Sequence, residues 1–276
     1  MASFLDAAID IAREAGQVLL AQRGVAFELK GDFDLVTAAD RASEQLIIAR
    51  LREMFPQHGI YAEEGGRAEL QSDLRWYIDP LDGTTNFAHG YPAWNVTLAL
   101  ARKGEVIAGV VYDPLNQELF AAERGAGARL NGARIRVSKT AVLNDALVAT
   151  GFPSRKRHQN VNIHFYYQLA MATHGVRRGG SAALDFAYTA CGRLEAFWEF
   201  GLNPWDMAAG TLLVEEAGGK VSGMGGEPFD VHGRYVLADN GLIHDEILGL
   251  FTETFQGRYR HEMPGLPAPE WELQHG

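Results

Sequence analysis

A single cysteine, Cys191, stands among 276 residues, so no disulfide can form within the chain and a zinc site of several thiolates is excluded. Cytoplasmic residence is the matching expectation. No stretch approaches the ~20 apolar residues that a membrane-crossing helix needs. Asp6, Asp10 and Glu14 occupy the region where a signal peptide would be basic and then apolar, so a soluble, unprocessed protein is expected. Positive charge is also scarce: 25 Lys and Arg face 35 Asp and Glu, a formal net charge of -10. Nonspecific binding to nucleic acid or to an anionic membrane relies on basic surface, so neither is expected, and the acidic balance suits a cation binder. Arg155-Lys156-Arg157-His158 runs against this trend and reads as a solvated loop. The histidines lack His-Xaa-Xaa-Xaa-His spacing, which leaves zinc hydrolase chemistry unsupported, and His89 reads as a loop residue. Internal repeats and low-complexity tracts are absent.

With 47% apolar and 22% charged residues, the chain has the composition of a globular protein with a substantial core. Phe4, Leu5, Ala8, Ile9, Ala12, Val18 and Leu19 recur at helical spacing and predict an opening helix ending near Gly24. A second helix is predicted from about Asp40 to Phe55. Alternation at Val96, Leu98 and Leu100, with turns at Lys103-Gly104 and Asp113-Pro114, predicts an antiparallel meander up to Val137. Beyond Lys139 strands alternate with helices. The reading is therefore an α+β half over 1–140 and an α/β half over 141–257, followed by a flexible, proline-containing tail over 258–276.

The most informative segment runs from Trp76 to Ala88. Trp76, Tyr77 and Ile78 favour a buried strand, and Pro80 cannot donate to a sheet ladder, so the strand is predicted to end at Asp79 with its carboxylate uncovered. Asp82 can point back toward Asp79, and two close anions are stabilised by a hard cation such as Mg²⁺. Gly83 permits a sharp turn whose following amides can converge on an anion. The same residues also fit an Asp-Gly turn with a capping threonine. Asp206 opens a predicted helix, either as a ligand or simply as an acid favoured by the helix dipole. Glu63 and Glu64 end a β-like piece before two glycines, as ligand or as polar loop. Gly179-Gly180-Ser181-Ala182-Ala183 presents amides at a helix start. It is neither a serine nucleophile elbow nor a dinucleotide fingerprint.

Taken together and in this order, the segments Asp34 to Asp40, Glu63-Glu64, Asp79 to Phe87, and Trp205 to Gly210 with Glu215 to Gly219 behind it resemble the inositol monophosphatase family. That resemblance implies a layered αβαβα sandwich that assembles as a homodimer, and lithium-sensitive hydrolysis of a small phosphate ester with two or three Mg²⁺ per site. It implies that Glu63, Asp79 and the carbonyl of Leu81 hold one ion, and that Asp79, Asp82 and Asp206 hold the second. Thr84 would orient the attacking water, Asp40 would support Thr84, and Glu63 would share the water. The amides of Gly83 and Thr84 would hold phosphate, with Asp82 and Asp206 near the bound ester. Gly180, Ser181, Ala182 and Glu199 would face the alcohol, although Glu199 also reads as a strand-end acid. Ala208-Ala209-Gly210-Thr211 resembles the inositol branch more than the histidinol-phosphate branch, so myo-inositol 1-phosphate is the expected substrate. Histidinol phosphate, fructose 1,6-bisphosphate and a nucleotide 3′-phosphate stand as alternatives, as does a regulatory or scaffolding role.

Overall fold

The computed structural model describes residues 3–24, 27–29, 35–68, 72–152, 160–263 and 265. The first helix, α1 (Phe4–Ala21), buries Ala8, Ile11, Ala12, Ala15 and Leu19 along one face, and Ser3 caps it by accepting from the Asp6 amide at 3.0 Å. A short antiparallel pair, β1 (Phe27–Leu29) and β2 (Leu35–Thr37), leads directly into α2 (Ala38–Met54).

The first large sheet contains β3 (Gly59–Ala62), β4 (Gly66–Ala68) and β5 (Leu74–Asp82), then, after the short α3 (Thr84–Ala88), β6 (Asn95–Arg102), β7 (Glu105–Asp113), β8 (Glu118–Glu123), β9 (Gly127–Leu130) and β10 (Ala133–Arg134). From β5 to β10 the neighbours pair antiparallel, as the alternation predicts. β3 instead lies parallel to β5, with Ala62 opposite Ile78, which delivers Glu63 to the end of the sheet where Asp79 sits.

The second sheet is built from β11 (Leu147–Thr150), β12 (Gly175–Arg177), β13 (Ala196–Phe200), β14 (Lys220–Ser222) and β15 (Tyr235–Asp239), in the order β12-β11-β13-β15-β14. Four helices alternate with these strands: α4 (Asn162–Ala172), α5 (Ala182–Ala190), α6 (Pro204–Glu216) and α7 (His244–Phe255). β11 runs parallel to both β12 and β13, whereas β15 is antiparallel to its two neighbours, so the sheet is mixed.

The layers follow from the three apolar clusters. α1 and α2 cover one face of the large sheet through Ile11, Leu19, Ile47 and Leu51 against Trp76, Leu98 and Val110. α5 and α6 fill the space between the two sheets, and α4 and α7 cover the outer face of the small one through Phe165, Leu169, Ile247 and Phe251. The result is an αβαβα sandwich. Because α6 lies between two sheets it is buried on every side, from Met207 through Val214, and it carries no polar stripe. Gly210 makes this possible: a Cβ there would stand 2.5 Å from the Phe186 ring of α5.

Two expectations change. β5 does not end at Asp79; it continues to Asp82 through a bulge between those two residues, which absorbs Pro80. The first residues of the expected tail are also held. Gln168 Nε2 donates to the His261 carbonyl at 2.7 Å, the His261 amide returns to Gln168 Oε1 at 3.0 Å, and the Tyr167 hydroxyl reaches the Glu262 carbonyl. The rest of that tail, apart from Gly265, lies outside the described residues, as do Asp34, the cluster Arg155 to His158 and residues 69–71.

Candidate active site

The β5 bulge is the centre of the site. Asp79, 2% exposed, is buried rather than uncovered, and its Oδ1 accepts from the Leu81 amide across the bulge at 3.0 Å. The Ser43 hydroxyl of α2 donates to the Pro80 carbonyl at 2.8 Å and pins the same irregularity from the helix side. Gly83 then turns the chain with φ of 88°, where a Cβ would lie 2.7 Å from the Ala93 carbonyl oxygen. The hydroxyl of the next residue, Thr84, stands 3.0 Å from both Asp40 Oδ1 and the Leu81 carbonyl. Asp40 itself is fully buried on the first turn of α2. The turn after β3 is held from α2 as well, because the Glu64 amide donates to Glu44 Oε2 at 2.8 Å, and the Glu63 amide donates to the Ile78 carbonyl.

Asp82 ties β5 to the start of α5. Its Oδ2 accepts from the Ser181 hydroxyl at 2.6 Å, the Ala183 amide at 2.9 Å and Asn95 Nδ2 at 3.0 Å. Asn95 is fully buried, and its amide nitrogen also lies 2.8 Å from Ser181 Oγ, while its Oδ1 receives the Thr97 hydroxyl at 2.6 Å. One carboxylate oxygen is thereby immobilised by three donors. Asp206 enters from α6, where its Oδ2 accepts from the Asn203 amide at 2.7 Å. It caps its helix and also lies close to the acids of β5.

These acids disfavour one another's charge. Burial, then Glu63, Asp82 and Asp206, push the Asp79 carboxyl well above the usual carboxylate range. Burial raises Asp82 against the opposing bonds from Ser181 and Asn95. Asp206 is pushed up to about 7, chiefly by burial, with the Asn203 amide working against the shift. Among the described residues no three acids or histidines close on one point as a finished cage. The donor set nevertheless fits a hard divalent cation, because every available group is oxygen and each carboxylate would gain from nearby positive charge.

Beside this cluster lies a cavity of about 170 Å³ lined by Asp82, Gly180, Ser181, Ala182, Glu199 and Asp206, the residues expected to face an ester. The left-handed Gly180, φ 82°, leads to Ser181, which caps α5 by accepting from the Leu184 amide at 3.3 Å. Glu199 projects from β13 toward Gly151, at which a Cβ would overlap the carboxylate. The cavity also contains Arg178 and Asp185, and neither these two nor Asn95 is singled out by the sequence. Asn95 and Thr97, two polar residues two apart in an otherwise apolar strand, are the one signal that could have marked the last of them.

A layered sandwich with an oxygen-donor cluster at a bulged strand end, next to a polar cavity, defines a phosphatase. A model described as the inositol monophosphatase family matches residues 1–256, and the chain belongs to that family, whose members are metal-dependent. It is 46% identical to Nus factor SuhB of Pseudomonas aeruginosa, over 87% of this chain and 92% of that relative. An inositol-1-monophosphatase of Synechocystis is 47% identical over 78% of this chain and 75% of its own length. The solved structure of inositol monophosphatase from Anabaena (Nostoc) superposes with a TM-score of 0.82 at 44% identity, covering 89% of this chain and 94% of that one. No helix among the described residues is long and apolar enough to cross a membrane.

Proposed function

We propose that the chain hydrolyses myo-inositol 1-phosphate, or a near relative, to the free alcohol and phosphate with Mg²⁺. The observation that carries this reading is the mutual facing of Glu63, Asp79, Asp82 and Asp206 beside a cavity that Glu199 also lines. Glu63, Asp79 and the Leu81 carbonyl would hold one ion, and Asp79, Asp82 and Asp206 another. When bound, Mg²⁺ supplies positive charge for the phosphoryl oxygens and the departing alkoxide and makes water a better nucleophile.

The chain's own residues supply orientation. The Thr84 hydroxyl can give its single proton to Asp40 or to the Leu81 carbonyl, which leaves its oxygen to accept from an incoming water and aim it. Glu63 is the further acceptor for that water's protons. The amides of Gly83 and Thr84 are the donors for a phosphate oxygen, and Gly180, Ser181, Ala182 and Glu199 face the alcohol. A homodimer in the cytoplasm belongs to the same reading, and sedimentation at micromolar concentration checks the dimer.

A second reading, regulation through a protein partner, is favoured by the relative named a Nus factor. The two readings differ in what Asp206→Asn does: turnover disappears under the first, while partner binding is unaffected under the second. The direct test is phosphate release from a panel of myo-inositol 1-phosphate, histidinol phosphate, fructose 1,6-bisphosphate and a nucleotide 3′-phosphate at equal Mg²⁺. Inositol 1-phosphate is expected to give the highest kcat/KM. A clear preference for another member would replace the substrate and keep the chemistry.

A further inference from the structure

The buried stripe of α2 changes character along its length. Ile47 and Leu51 pack into the apolar cluster beneath the large sheet, whereas Asp40, Ser43 and Glu44, nearer the N-terminus, are polar and also buried. Spacings of three and four residues put these side chains on one helix face. Each holds a different piece of the site. Asp40 accepts from the Thr84 hydroxyl, and the Ser43 hydroxyl donates to the Pro80 carbonyl. Glu44, 5% exposed, takes the turn after β3: its Oε2 accepts from the Glu64 amide at 2.8 Å, and its Oε1 lies against Gly65, where a Cβ would collide with it. A buried carboxylate costs stability unless hydrogen bonds offset it, and the turn amide supplies such a bond. The Glu63 amide is anchored separately, to the Ile78 carbonyl at 3.2 Å. Both peptide groups that flank the Glu63 Cα are therefore fixed, one by β5 and one by α2, and planar peptides leave its Cβ a single direction.

We infer that Glu44 is a positioning residue for the ion that Glu63 holds: by fixing the peptide after Glu63 it aims that carboxylate, and so sets the ion's affinity. The inference rests on the ion-holding role proposed above for Glu63 and adds the residue that orients it. Gly65 is the matching element, because the missing Cβ leaves room for Glu44 Oε1. Ser43, the chain neighbour of Glu44, pins the β5 bulge between Asp79 and Asp82. Adjacent residues of one helix thus tie the Glu63 turn and the Asp79 bulge to a common frame, which keeps two ligands from different strands in register.

The experiment is calorimetric titration of the substrate-free protein with Mg²⁺, for the wild type, Glu44→Ala, Glu63→Gln and the double variant. Glu63→Gln identifies the binding step that depends on Glu63. Glu44→Ala is expected to weaken that same step about tenfold and, in the Glu63→Gln background, to add no further loss. Unchanged affinity in Glu44→Ala overturns the inference. So does an equal loss in both backgrounds, because a residue that merely supports the fold acts whether or not Glu63 is present. Glu44→Gln keeps an oxygen for the Glu64 amide and should recover most of the affinity; a Glu44→Gln protein as weak as Glu44→Ala overturns the inference, since charge and not the amide bond would then be at work. Should Glu44→Ala fail to fold, Gly65→Ala on the exposed turn displaces the same carboxylate without removing it. The same loss is expected there, and unchanged affinity overturns the inference likewise. Wild-type Mg²⁺ binding in Glu63→Gln fails the ion-holding reading of Glu63 and this inference with it. A loss in Glu63→Gln without one in Glu44→Ala fails this inference alone.

Discussion

At the β5 end of the site Asp79, Asp82 and Thr84 each have protein hydrogen-bond partners, whereas at the β13 end the carboxylates of Asp185 and Glu199 border the cavity. Asp79, Asp82 and Thr84 are held by the Leu81 amide, by Asn95, Ser181 and Ala183, and by Asp40. The contrast separates two tasks. Groups that act on a phosphoryl transition state gain from being fixed beforehand, because no reorganisation is then needed during reaction. Groups that choose an alcohol act through the bonds that the right ligand completes.

The largest effect that would sharpen this contrast is expected at the fixed end. Asp206→Asn should reduce kcat by about 10³-fold or more on every phosphate ester, since it removes a charge from the ion-holding set; turnover that persists would remove Asp206 from that set. Thr84→Ala should cost about 10²-fold in kcat with little change in KM, and Thr84→Ser should restore most of it. A loss confined to KM would mean that Thr84 binds ester and does not aim water. Asn95→Ala frees one side of Asp82 and should weaken Mg²⁺ binding by roughly 10-fold, read by calorimetry without substrate. Unchanged affinity would show that Ser181 and Ala183 suffice to hold Asp82.

The smallest effect concerns stability. The acids at both ends have folded-state pKa values above the ordinary range, with Asp206 moved from 3.8 to about 7. Between those values the folded chain binds more protons than the unfolded chain, so its stability falls as pH rises. With divalent ions chelated, Tm should therefore decline by a few degrees from about pH 4 to about 7 through these groups, and Mg²⁺ should restore more of it at pH 7 than at pH 5. A chelated protein whose Tm rises across that window would contradict the sign.

Much of the fixed end was legible in the sequence because it is local. Asp79, Asp82, Gly83 and Thr84 lie within six residues, and their chemistry is readable from type and spacing. The strand's passage beyond Pro80 was not, since a bulge depends on what β6 and Ser43 offer opposite it. The cavity end was less legible because its contacts are remote: Ser181 and Ala183 reach Asp82 from 99 and 101 residues away, and Asn95 meets Ser181 across 86. Asp185 is not marked by the sequence, and the cavity beside it is what sets it apart from other first-turn acids. The meander and the opening helix followed from periodicity, whereas α6 shows no amphipathic pattern because both of its flanks are covered by sheets.

The account stands on the carboxylates around Asp79 working as an ion-dependent hydrolytic centre. Phosphate release from myo-inositol 1-phosphate should be measured for the wild type and Asp79→Asn, first with divalent ions chelated and then across a Mg²⁺ titration. The wild type should be inactive when chelated and gain activity saturably with Mg²⁺, while Asp79→Asn stays at least about 10³-fold lower at every concentration. Full activity in the chelated wild type, or in Asp79→Asn, would contradict it.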